Sequence, residues 1–170
     1  QVVNDPPQAR ALCEALLPGE RLPPGGDVVA GARAEAQQDA RREGALAGRY
    51  RVSVPAQALR FAPYDLDEEE LSLSDRTFLA GAGGRLHLWA VSRGGLSVRA
   101  GAAAAARIVQ AAKDRTLALL LTFTLPDDED EAVCAHAAGS EHYALGVEPF
   151  AWEYVVGDEV LARGGEGGDR

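Results

Sequence analysis

From Arg49 onward the apolar residues of this chain change their spacing, and that change limits what it can fold into. Before Arg49 they recur every three or four positions, the period of a helix lying against a core. After it they recur every second position, the period of a strand with one buried face. Tyr50, Val52 and Val54 alternate with Arg51 and Ser53. Leu117, Leu119, Leu121, Phe123 and Leu125 extend the same alternation over the longest such run. Helices first and strands later predict an α+β fold. The expected architecture is a mixed, mostly antiparallel sheet of about six or seven strands, with N-terminal helices and one crossover helix packed on it. A β-sandwich or partly open barrel with appended helices is the alternative.

Residues 1–48 read as an N-terminal helical segment packed on the main domain. Asp5-Pro6-Pro7 combines an N-cap with prolines at the first helical positions, ahead of Ala11, Leu12, Ala15 and Leu16. Pro18-Gly19 stops that helix, and Arg21 to Gly26 forms a turn or linker. Asp27 is placed to cap a second helix through Val28, Val29, Ala32, Ala36 and Ala40, with Gly44 and Gly48 bracketing its end. A stripe made mostly of alanine buries little area, so this helix is expected to pack closely but weakly.

Residues 49–162 read as the β-rich core. Pro55 confines the first strand to an edge or ends it. Glycine-rich breaks at Gly81–Gly84 and Arg93–Gly95 separate three short runs, Phe78–Ala80, Arg85–Val91 and Leu96–Arg99. Together they predict a three-stranded meander. Ala102 to Arg115 is helical in pattern, with Ile108, Val109 and Ala112 on one side and Arg107, Gln110 and Lys113 on the other. Strand, helix, strand suggests a crossover, right-handed if the two strands are parallel. The last strands are expected at Leu145–Val156 and Val160–Ala162, joined at Gly157-Asp158. Residues 163–170 read as a glycine-rich tail without packing residues.

Lys and Arg total 17 against 26 Asp and Glu, a net charge of −9 over 170 residues. Such a field repels nucleic-acid phosphates and anionic lipid, so neither is an expected partner. The longest apolar run, Leu117–Leu121, is strand-sized, and no stretch reaches the length of a membrane span. The first residue is Gln1 rather than methionine, which raises the expectation of a removed leader or of a larger parent chain. The two cysteines, Cys13 and Cys134, lie outside any C-x-x-C pattern. Thioredoxin-like, zinc-ribbon and haem-attachment sites are therefore not expected. The pair could close one long-loop disulfide, which points to a periplasmic or extracellular setting. Two buried free thiols in a cytoplasmic protein are the alternative.

Several groups of side chains are candidate sites. Asp65, Asp67 and Glu69 in one acidic segment, with Asp127, Asp128 and Asp130 in another, offer oxygens that a hard cation such as calcium prefers. The Asp-x-Asp start lacks the glycine and final glutamate of an EF-hand loop, and solvated loops explain both segments. No cofactor is otherwise implied. Cys134, His136 and His142 have ligand chemistry for zinc or copper but no fourth partner. Ser140 beside His142 lacks the G-x-S-x-G elbow. Gly81-Ala82-Gly83-Gly84 leads into a strand, not a helix, and so reads as a hairpin rather than a phosphate loop. The remaining candidate is an aromatic binding surface built from His87 and Trp89 on one strand and Phe150, Trp152 and Tyr154 on another. The competing use of that row is a second core layer under a helix.

With no catalytic constellation, the leading expectation is a non-enzymatic extracytoplasmic binding or structural protein. It would contact another protein chain or assemble with itself. An intracellular acidic inhibitor or immunity-type protein covering a basic surface is the second reading, and a small metal-dependent hydrolase the third.

Overall fold

Alternation in the sequence becomes register in the sheet. The computed structural model of the protein describes residues 11–12, 28–75, 77–80, 86–90, 96–126, 134–136 and 143–166. Residues 11 and 12 are helical, and Leu12 reaches the core. Helix α1 spans Val28–Ala47 and α2 spans Ala102–Lys113. The strands are β1 (Tyr50–Pro55), β2 (Glu70–Leu71), β3 (Thr77–Ala80), β4 (Leu86–Ala90), β5 (Val98–Arg99), β6 (Leu117–Thr124), β7 (Cys134–His136), β8 (Tyr143–Val156) and β9 (Glu159–Gly165). The fold is α+β, as the spacing predicts. Among the described residues no helix is long and apolar enough to cross a membrane.

The main sheet follows the order β1-β6-β8-β4-β3, with β7 and β9 also paired to β8. All its ladders are antiparallel except β4 with β8. β8 is the shared strand. Its first five residues pair with β4, and the stretch Glu148–Val156 pairs with β6. β3 lies alongside β1 and the 3-10 turn Ala56–Ala58, so the sheet curls until its two ends meet without a ladder between them.

One face of this curl is the core. Val54, Leu119 and Tyr154 stand in register across three strands, and so do Val52, Leu121 and Trp152. Every member except Trp152 is at most 1% exposed. The other positions of β6, Ala118, Leu120, Thr122 and Thr124, are half-buried on the outer face. Two-residue periodicity therefore places large aliphatic side chains in directly opposed cross-strand pairs, the contact that stabilises a sheet.

A second layer covers that core. An irregular hairpin over residues 60–74 packs Phe61 on Tyr154, with ring centroids 5.6 Å apart. Its return arm, β2, pairs with β5 outside the main sheet. α2 adds Ala105, Ile108 and Ala111 as its buried stripe. Arg107, Gln110 and Lys113 are exposed, as the pattern predicts.

Four expectations are corrected. The meander has two strands in the sheet, because β3 and β4 pair but the 96–99 segment leaves to join β2. The strand-helix-strand unit is not a crossover within one sheet: β5 and β6 belong to different sheets, and the parallel pair is β4 with β8. Ala32, Ala36 and Ala40 of α1 are exposed rather than packed. That helix meets the core at its last turn, through buried Ala45, whose carbonyl accepts a hydrogen bond from Tyr50 Oη at 2.7 Å. Methyl groups bury too little area to hold a whole helix face against a sheet. Finally, the last strand extends past residue 162, since Arg163, Gly164 and Gly165 complete β9 opposite Glu153, Trp152 and Ala151.

Candidate functional site

Two aromatic residues of β8, Trp152 and Tyr154, serve the interior. Tyr154 is fully buried and donates from Oη to the Leu96 carbonyl at 3.2 Å. Burial raises its phenol well above the ordinary value. Trp152 is half-buried and donates from Nε1 to the Ser97 carbonyl at 2.8 Å. The 96–97 segment thus has its carbonyls held by side chains of the sheet beneath it. Such donors are what a buried carbonyl outside a ladder requires. Gly164, opposite Trp152, leaves room for both the indole and the Ser97 carbonyl, which a Cβ would strike.

Phe150 does not continue this row. The β6–β8 register shifts at Thr122/Phe123, so Pro149 takes the position opposite Phe123 and Phe150 is the extra residue of a bulge. Its ring lies under the Arg49 guanidinium, 4.0 Å from the centroid. A single aromatic surface made of Phe150, Trp152 and Tyr154 is therefore not what the fold presents, because one member is buried and one is displaced by the bulge. His87 and Trp89 lie on β4, opposite Ala144 and Gly146 of β8. Their side chains lie outside the described residues.

The first acidic segment forms a fixed turn. Asp65 and Glu70 exchange both backbone hydrogen bonds at 3.0 Å. Asp65 Oδ1 accepts from the backbone N–H groups of Asp67 and Glu68 at 3.0 and 3.1 Å. Glu69 closes the turn in the left-handed region, at φ 50°. Tyr64 ties the base of the turn to the second layer, donating from Oη to the Ala100 carbonyl at 2.6 Å. Its phenol is raised by burial, and further by the charges of Glu69 and Asp65. At the tip, Leu66 is 74% exposed. Sequence reasoning missed Leu66, although its isolation among carboxylates was visible: no apolar neighbour at alternating or helical spacing could pull it inward.

As a cation site the turn is poorly arranged. One Asp65 oxygen is occupied by two backbone donors, and Asp67 and Glu69 are exposed around the tip. Among the described residues no group of three or more His, Cys, Asp or Glu is placed to hold a metal ion. Asp127, Asp128 and Asp130 lie outside the described residues, as do Cys13, Ser140 and His142. Cys134 and His136 are placed only by the backbone of β7, opposite Leu145 and Tyr143.

Some charged groups elsewhere are paired with one another. Glu153 accepts from Arg51 at 3.5 Å and from Arg163 at 3.0 Å across the outer face of the sheet. Arg107 binds Glu159 with both terminal guanidinium nitrogens, at 2.8 and 2.6 Å, beside an open groove lined by Ala103, Ala104, Val160 and Leu161. That pairing raises the Arg107 guanidinium and holds the Glu159 carboxyl below its ordinary value. Compared with family models, with curated proteins and with solved structures, the chain matches none.

Proposed function

We propose that this protein is a non-enzymatic binding module that contacts another protein chain through the 64–70 turn. The observation that carries the reading is Leu66, a large apolar side chain 74% exposed on a backbone whose hydrogen bonds keep it from folding inward. A pre-ordered turn loses little conformational freedom on binding, which favours affinity. Asp65, Asp67, Glu68 and Glu69 around the leucine repel an acidic partner and attract a basic one. The partner that fits is a protein with an apolar pocket rimmed by arginine or lysine. This joins the two expectations of a protein-contacting subunit and of an acidic chain covering a basic surface.

The test is chemical cross-linking of tagged protein in the cells that make it, comparing the native chain with Leu66→Ser. The expected result is one partner recovered with the native chain and reduced at least about tenfold by Leu66→Ser, in the range of a central contact residue. The variant should unfold at the same denaturant concentration as the native chain, since an exposed side chain contributes little to stability. Recovery of the same partner by Leu66→Ser, or of no partner and no second copy by either protein, overturns the proposal. A placement outside the cytoplasm belongs to the same reading and rests on Cys13 and Cys134 being bonded. Native mass without reductant, lower than the reduced mass by the hydrogens of one disulfide, supports that placement, and equal masses remove it.

A further inference from the structure

We draw no further inference here: the strongest candidate, the open groove between the first turn of α2 and the start of β9, has its two charged side chains, Arg107 and Glu159, already bound to each other, and nothing in the structure shows what covers it.

Discussion

Tyr154 shows how much one side chain can organise. Its ring fills the space between Leu119 and Phe61, and its hydroxyl satisfies a carbonyl of the layer above. Replacing it with phenylalanine leaves the Leu96 carbonyl without that donor, a loss of about 1–2 kcal/mol in urea unfolding. The same residue makes stability depend on alkaline pH. Burial raises its folded-state phenol above the ordinary 10.0, so the unfolded chain loses that proton first as pH rises. The stability from the neutral phenol is whole below pH 10 and is lost as pH climbs from there toward the folded-state value. Urea midpoints should therefore hold steady up to the ordinary phenol value of 10.0 and fall as pH rises beyond it. Tyr154→Phe should flatten that fall, leaving the contributions of Tyr50 and Tyr64, whose phenols are also raised. A fall of equal size in the variant would show that Tyr154 is not its source. Gly164 is the other decisive position. Adding a methyl there drives it into the Trp152 indole and the Ser97 carbonyl, so Gly164→Ala should cost about 1–3 kcal/mol and alter tryptophan fluorescence. At this scale the sequence was legible for inward alternation, as at Leu119 and Leu121. Gly164 was not legible, because a glycine that makes room for an indole looks the same in sequence as one in a loose tail.

The elements differ in how far local chemistry explains them. α2 has a helical pattern, a buried stripe at the expected spacing and a definite end. The Arg115 N–H bonds the Ala112 carbonyl and the Thr116 N–H bonds the Ala111 carbonyl, closing a Schellman motif. Its left-handed position is held by Arg115, at φ 59°, where glycine is usual. An L side chain in that region costs about 1–2 kcal/mol, part of which glycine returns through its freer unfolded chain. Arg115→Gly should therefore stabilise the protein by about 0.5–1 kcal/mol, read as a higher urea midpoint; a lower one would show that the arginine side chain holds the turn. α1 is the opposite case, since its periodicity was readable but its alanine face gave too little to bury. The 96–99 run alternates like the strands before it, yet it leaves the sheet. Trp152 and Tyr154 take its carbonyls, and no local signal announced donors more than fifty residues away in the chain.

At the scale of the whole molecule, β8 makes the two parts of the sheet one object. Its early residues carry β4 and β7, and its later ones carry β6 and β9. Neither part can lose β8 without disturbing the other, so unfolding should be a single cooperative event. Trp89 on β4 and Trp152 on β8 lie in the two parts, which gives a direct check. Urea curves followed by tryptophan fluorescence and by far-UV circular dichroism should superimpose. Two separated transitions would show that the parts unfold independently.

Spacing alone specified the α+β class, the inward face of the major strands and the exposed side of α2. Those follow from a period that any single element must obey to bury one face, so they need no knowledge of neighbours. Strand order, the parallel β4–β8 pair and the bulge that displaces Phe150 came from long-range packing. Each depends on which segments meet across the molecule, and a one-dimensional pattern of apolar residues is compatible with several such meetings.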